Sequence, residues 1–310
     1  MNQLEIKNLL GFLLPLLLAT VLYFYFLRPG NMVPKRFGGV VLGVAVIFFI
    51  TIFQSLYPGF LLLKDFWSLV LGVIILLVGG LWDDREKISW QKQLLFQSAA
   101  ALVAVFVGDT IEHIRLPGGF VLFFPPFLSA ILAYFWIILV IEALNWLDGV
   151  DGLAGSTGFI TLLALAILGL TPVVNQPSTT QLCLIVAGAL LGFLFFNFPP
   201  GKIYLGSAGV WTLGFLIAVI SLYSGGKVAT TALVLGIPIF NFIFVTLERL
   251  SAGKWPVFGG DRLHLHERLV DQGWKPVNIV LVFSLFSLLL GAGALLSQTE
   301  GKFYLILPLA

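Results

Sequence analysis

The chain has 310 residues, 59% of them hydrophobic and only 10% charged, with a net charge of +2. Soluble domains carry roughly 25% charged residues, so a water-exposed surface of ordinary polarity cannot be built from this pool and a membrane class follows. No stretch supports nucleic-acid recognition, because the cationic residues read as topology determinants and phosphate contacts.

Apolar runs recur at lengths close to the roughly 20 residues that cross about 30 Å of hydrocarbon. Backbone groups in lipid must be satisfied within each segment, and the alternation of a barrel is absent. The expectation is an all-α polytopic bundle of about ten transmembrane helices, forming one integral membrane domain over 1–310 with a long cytoplasmic loop at 248–276. In chain order the spans fall at 9–27, 38–57, 66–81, 93–108, 126–143, 157–171, 181–196, 208–223, 228–247 and 277–296. The first is read as a retained span and not a secretory signal, since its flank is weakly charged and it ends in Arg28-Pro29-Gly30 instead of a small-residue cleavage site. The lone Cys183 lies in an apolar run and can form no intrachain disulfide.

Alternating the loops from an outside N-terminus puts 12 of the 17 Lys and Arg residues in the loops at 28–37, 82–92, 144–156, 197–207 and 248–276. By the positive-inside rule these loops are cytoplasmic and both termini lie outside. The expected location is an inner or plasma membrane with a cytoplasmic active face. The same count brings four polar clusters to that face.

In the first, Leu81 to Lys87, Asp83 and Asp84 end an apolar span. Like charges at a low-dielectric boundary need a compensating cation, and a hard divalent ion such as magnesium suits them. A solvated cap anchored by Arg85 and Lys87 is the plainer alternative. In the second, Asn145 to Ser156, Asp148 and Asp151 share a face if helical, and Gly149 and Gly152 admit a ligand close to the backbone if not. An Asx/Gly turn is the alternative there.

The third runs from Phe196 to Gly209, where Pro199-Pro200-Gly201 ends one helix and a glycine-rich stretch leads into the next, either a phosphate-accepting helix start or a tight turn. The fourth, Gly259 to Leu269, holds His264 and His266, which would diverge on a helix and point alike on a strand. It suits phosphate contact and proton transfer better than zinc, or it is a basic loop touching lipid headgroups. His113 reads as interfacial, and Glu142 as either a site carboxylate or an interfacial one.

In this order the motifs resemble the polyprenyl-phosphate N-acetylhexosamine-1-phosphate transferase family, membrane enzymes that load a sugar phosphate onto a lipid carrier. The resemblance runs from about Lys35 to Trp274. It rests on Lys35-Arg36-Phe37-Gly38-Gly39, Asp83-Asp84, Asn145-x-x-Asp148-Gly-x-Asp151-Gly-Leu-Ala, Asn197-x-x-Pro200, Tyr204 to Gly209 and Asp261-Arg262-x-His264-Leu-His266. It is closer to the N-acetylglucosamine or teichoic-acid-initiating branch than to the muramoyl-pentapeptide transferases.

The resemblance implies transfer of a sugar 1-phosphate from a UDP-sugar, such as a UDP-N-acetylhexosamine, to polyprenyl phosphate. UMP is released, magnesium is required, and cell-envelope glycan synthesis begins. Membrane lipids surround the protein, and a homodimer is compatible with the sequence. By the same resemblance Asp83, Asp84 and Asp151 are catalytic, Asp83 as a general base or phosphate-orienting group and Asp84 with Ser207 at the metal. Lys35, Arg36, Asn145, Asp148, Asn197, Arg262, His264 and His266 bind substrate, with Asn145, Asp148 and Asp151 lining the nucleotide site.

Four positions depart from the family pattern. Gly206-Ser207-Ala208-Gly209 stands where the family has Gly-Asp-x-Gly, Glu142 where it has Asn, Asn241 where the branch has Asp, and Glu267 where a histidine follows the histidine pair. Ser207 removes a negative charge and should weaken metal binding unless Glu142 or Glu267 compensates. The alternative to a working transferase is therefore an impaired paralogue that binds polyprenyl phosphate or UDP-sugar, or assists assembly of a glycan-synthesis complex. Polar residues gathered at one face argue against a transporter, which needs them near the midplane.

Overall fold

The computed structural model describes residues 3–27, 37–115, 120–223, 226–254 and 262–297. Helices carry almost all of the described chain: α1 (Gln3–Phe26), α2 (Gly38–Leu56), α3 (Leu63–Glu86), α4 (Trp90–Val107), α5 (Pro126–Asn145), α6 (Leu153–Leu170), α7 (Pro177–Asn197), α8 (Gly206–Leu222), α9 (Gly226–Val234), α10 (Gly236–Ser251), α11 (Leu265–Asp271) and α12 (Pro276–Leu296). Their limits follow from local chemistry. Proline opens α5, α7 and α12, where its missing N–H would be unbonded in any case. Gly108 stops α4 with a left-handed φ of 108°.

Each expected span falls on helix, the one at 228–247 on two, but among the described residues fewer than ten helices have the length and apolarity to cross a bilayer. Seven of the described helices do: α1, α2, α3, α5, α6, α7 and α12. An eighth arises if α9 and α10, bent by 72° at a short break, are taken as one span. The shortfall has two causes. The 18-residue α4 carries Gln91, Lys92, Gln93 and Gln97 in its first half, and α8 has only 17 residues. A short hairpin, β1 (His113–Arg115) with β2 (Val121–Phe123), joins α4 to α5 and was not anticipated. It pairs His113 with Phe123 at the end of the bundle away from the polar clusters.

The short α8 can be apolar throughout because protein, and not lipid, surrounds it. Every residue from Ala208 to Leu222 is buried, with α2, α3 and α5 among the helices packed on it. Lipid tails are as apolar as leucine, so helices associate in a membrane through close van der Waals packing and interhelical hydrogen bonds. Small residues supply that approach. A Cβ on Gly39 would stand 2.2 Å from Gly209 Cα, and one on Gly80 would stand 2.3 Å from Ala208 Cα. Both contacts lie in the first turn of α8, so they bring the start of α2 and the end of α3 to one point. On the far side α1 lies along α7, tied at its end by Tyr23 Oη donating to Gly38 O at 2.7 Å. Leu17 and Phe24 of α1 face outward, 62% and 59% exposed.

The Gly39–Gly209 contact should therefore be intolerant of a methyl group. Gly39→Ala and Gly209→Ala are each expected to cost about 1–3 kcal/mol, the usual range for overpacking. Thermal unfolding in detergent checks this, with Leu17→Ala on the lipid-facing side as the neutral control.

Candidate active site

The site begins with two carboxylates that end an apolar helix. Asp83, only 1% exposed, accepts at Oδ1 from Ile88 N (3.1 Å) and Gln93 Nε2 (2.9 Å), and at Oδ2 from Lys87 Nζ (3.1 Å) and Ser207 Oγ (2.5 Å). Lys87 closes α3 in a left-handed conformation, φ 50°. That reversal lets both its ammonium and the next backbone N–H fold back onto Asp83. Asp84 reaches the first turn of α8, where Oδ1 accepts from Ser207 N (2.9 Å) and Oδ2 from Ala208 N (3.2 Å). A carboxylate is favoured there by the unsatisfied amides and the helix dipole. Gly206 makes the approach possible: its φ is 65°, and a Cβ on it would lie 2.7 Å from Asp84 Oδ2.

Two further segments complete the wall. Asn197, at the end of α7, accepts from Gly152 N at 2.8 Å and donates to Ile203 O at 2.7 Å. One buried amide thus ties the start of α6 to the turn before α8. Asp151 Oδ2 accepts from Gly201 N at 2.9 Å, and Trp211 Nε1 of α8 donates to Asn145 Oδ1 at 3.2 Å.

Between these segments lies a cavity of about 440 Å³ lined by Asp84, Lys87, Asn145, Asp148, Asp151, Asn197 and Ser207, among others. Its size suits a small-molecule ligand. Burial, reinforced by the charges of Asp84 and then Asp151, raises the Asp148 carboxyl well above its ordinary range. That shift favours the protonated carboxyl, the form that can donate a hydrogen bond into the cavity.

The segment 262–271 sits beside this cleft. Asn241 of α10 accepts from Leu265 N at 2.8 Å and its amide faces His264 Nδ1 at 3.3 Å. His264 lies edge-on to Trp146, and Arg249 stacks over the same indole. Although His264 precedes α11 and His266 lies within it, their rings are parallel, 5.7 Å apart at 10°. His266 is buried against Gly149, where a Cβ would be 2.4 Å from Nε2. Burial first, then the charges of His264 and Arg262, pushes its imidazole down to about 4.

Of the residues expected at the site, Asp84, Asn145, Asp148, Asp151, Asn197 and Ser207 line one cavity, and Asp83 stands directly behind it. His264 and His266 flank it. Arg262 does not join them: its guanidinium pairs with Asp271 at 2.7 Å on the surface. Lys35, Arg36 and Asp261 lie outside the described residues. Neither proposed substitute for the missing carboxylate reaches the cavity wall. Glu142 takes Gln97 Nε2 at 2.6 Å and Asn145 Nδ2 at 3.4 Å, and Glu267 accepts from His264 N at 3.4 Å. Sequence reading gave Lys87 only an anchoring role and passed over Gln93 and Trp211. The four-residue spacing of Asp83 and Lys87 at a helix end was the available signal.

Magnesium takes oxygen ligands in near-octahedral geometry, and the residues present do not form such a set. Asp83 is engaged by an amide, a carboxamide, an ammonium and a hydroxyl. Ser207 directs its hydroxyl to Asp83, and both oxygens of Asp84 accept from α8 amides. Among the described residues no group of three or more His, Cys, Asp or Glu converges as a metal site would.

Residues 66–225, just over half of the chain, match the family model described as glycosyl transferase family 4. Over 231 residues the chain is 30% identical to a probable undecaprenyl-phosphate N-acetylglucosaminyl 1-phosphate transferase of Bacillus subtilis, covering 73% of this chain and 64% of that protein. It is 29% identical over 241 residues to a decaprenyl-phosphate N-acetylglucosaminephosphotransferase of Mycobacterium tuberculosis, covering 69% and 59%. A phospho-N-acetylmuramoyl-pentapeptide-transferase of Limosilactobacillus fermentum is 31% identical over 226 residues, covering 69% and 67%. The chain thus spans less than two thirds of the first two relatives, and the matches extend over more than one branch.

The low imidazole pKa of His266 has a definite sign. Neutral in the folded state and protonated more readily when unfolded, it contributes stability that is complete above about 6.5 and lost as pH falls toward 4. The span corresponds to about 3 kcal/mol as an upper figure. Thermal unfolding of the wild type should weaken over that window, and His266→Gln should flatten the dependence.

Proposed function

Because the chain belongs to glycosyl transferase family 4, whose chemistry is phosphoglycosyl transfer, we propose that it transfers a sugar 1-phosphate from a UDP-sugar, such as a UDP-N-acetylhexosamine, to polyprenyl phosphate. UMP is the by-product, and the lipid-linked sugar initiates a cell-envelope glycan. The observation that carries this reading is the convergence of Asp84, Lys87, Asn145, Asp148, Asp151 and Ser207 on one cavity at an end of the bundle. A soluble nucleotide and a lipid headgroup can meet only at such an interface. The excess of Lys and Arg in the loops at this end supports a cytoplasmic face and outside termini.

In the proposed reaction an oxygen of the lipid phosphate forms a bond to the sugar-bearing phosphorus. The bond from that phosphorus to the bridging oxygen breaks, and UMP leaves with the electron pair. Catalysis of this kind is positioning together with electrostatic stabilisation. Lys87 offsets charge growing on the phosphoryl oxygens, with Asp83 holding its ammonium in place. Asp148 donates its hydrogen bond to the nucleotide, and Asn145 and Asp151, fixed by Trp211 and Gly201, orient it. Asp83 is thus a positioning residue, since it lies behind the cavity wall.

The engagement of Asp83 by Ser207 and Lys87 favours a second reading, a paralogue that binds these ligands without turning them over. Purified protein given polyprenyl phosphate and a panel of UDP-sugars, with and without magnesium, should release UMP and form a lipid-linked sugar. Asp151→Asn should lower the rate by about 100-fold. UDP binding without turnover would establish the second reading, and neither binding nor turnover would reject both. Because the protonated form of Asp148 is the donor in this reading, kcat/KM should fall as pH rises through its raised pKa, and Asp148→Asn, which keeps a donor, should flatten that limb.

A further inference from the structure

The cavity described above contains its own answer to a problem of charge. Asp83 is a carboxylate almost wholly removed from water, and a buried charge persists only when it is paired and hydrogen-bonded. All of that compensation comes from the chain itself: the Lys87 ammonium, the Ser207 hydroxyl, the Gln93 carboxamide and the Ile88 N–H. Lys87 and Ser207 meet at the same oxygen, Oδ2. A divalent cation seated there would have to displace the serine hydroxyl and stand against the Lys87 ammonium. At Asp84, two α8 amides point at the oxygens that would otherwise be turned to a metal.

We propose that the cleft takes up its anionic ligand without a divalent cation, the Lys87 ammonium and the Ser207 hydroxyl holding Asp83 where a metal would otherwise be required. The identity of that ligand as a nucleotide rests on the function proposed above; the absence of a metal requirement rests on the bonds at Asp83 and Asp84. The lysine and the serine work together. With an aspartate at 207, a third carboxylate would face Asp83 and Asp84, and one lysine could not offset three negative charges. With serine there, the count at this junction is two carboxylates, one ammonium and the α8 amides, one negative charge fewer than aspartate would leave.

Electron paramagnetic resonance of Mn2+ added to the purified protein in nanodiscs tests this directly. The wild type is expected to leave the free-ion signal unchanged at millimolar Mn2+, while Ser207→Asp should bind one ion per chain. Lys87→Gln, which removes the ammonium but leaves Ser207, serves as the second variant, and it should also gain affinity for Mn2+. Thermal unfolding confirms that each variant is folded. A wild-type protein that binds one Mn2+, lost on Asp84→Asn, would overturn the proposal. Folded variants that both fail to bind would overturn the roles given to Ser207 and Lys87.

The companion measurement is UDP affinity by calorimetry in magnesium and in EDTA, expected to agree within about twofold, whereas a tenfold gain with magnesium would contradict the proposal. Failure of UDP to bind in either buffer would count against the nucleotide reading, leaving the Mn2+ result to decide the metal question alone.

Discussion

Two adjacent carboxylates at the end of an apolar helix cannot stand alone at a low-dielectric boundary, and the first turn of α8 is what answers them. Asp84 takes two of its free amides, and Asp83 takes its serine hydroxyl. The interaction is reciprocal. A helix begins with N–H groups that have no partner within the helix, and Asp84 satisfies two of them. The same turn is where Gly39 and Gly80 let α2 and α3 approach closely. Packing and polar satisfaction therefore converge on Gly206 to Gly209, and the cavity opens beside them.

Around this point the other walls are fixed by single groups with two partners. Asn197 holds the start of α6 and the turn before α8, while Asn145 is held between Trp211 and Glu142. Such bonds cost little to maintain in a membrane protein when both partners lie at the bundle end, and they orient side chains before a ligand arrives. The result is a cavity with one ammonium, an Asp148 carboxyl that burial favours in its protonated form, and ionisable partners set by their neighbours. That arrangement suits an anionic ligand with hydrogen-bonding groups.

Much of this was legible in the residues. Apolar length marked every stretch that became a long helix, and the Asp83-Asp84, Asn145-to-Asp151 and Asn197-to-Gly209 segments do meet at one cavity. What could not be read had physical reasons. Hydropathy reports compatibility with lipid and is blind to whether lipid is present, so it does not distinguish the protein-wrapped α8 from a lipid-facing helix. The bend between α9 and α10 interrupts no apolar pattern. The Ser207–Asp83 bond joins residues 124 apart, beyond any local rule. Arg262 carries the composition of a phosphate contact, yet an acidic partner nine residues on, Asp271, claims it. His264 and His266 become parallel because an extended residue precedes the helix, a junction that neither a pure helix nor a pure strand describes.

The central claim is that Asp83 and Ser207 are bonded across the α3–α8 junction, and a double-mutant cycle measures it most directly. Asp83→Asn, Ser207→Ala and the double variant would be compared with the wild type by reversible unfolding in the same detergent. A hydrogen bond to a charged, buried carboxylate should give a coupling energy above about 1 kcal/mol. Additive effects, with coupling below about 0.3 kcal/mol, would mean that the two side chains do not meet and that the site is organised in some other way.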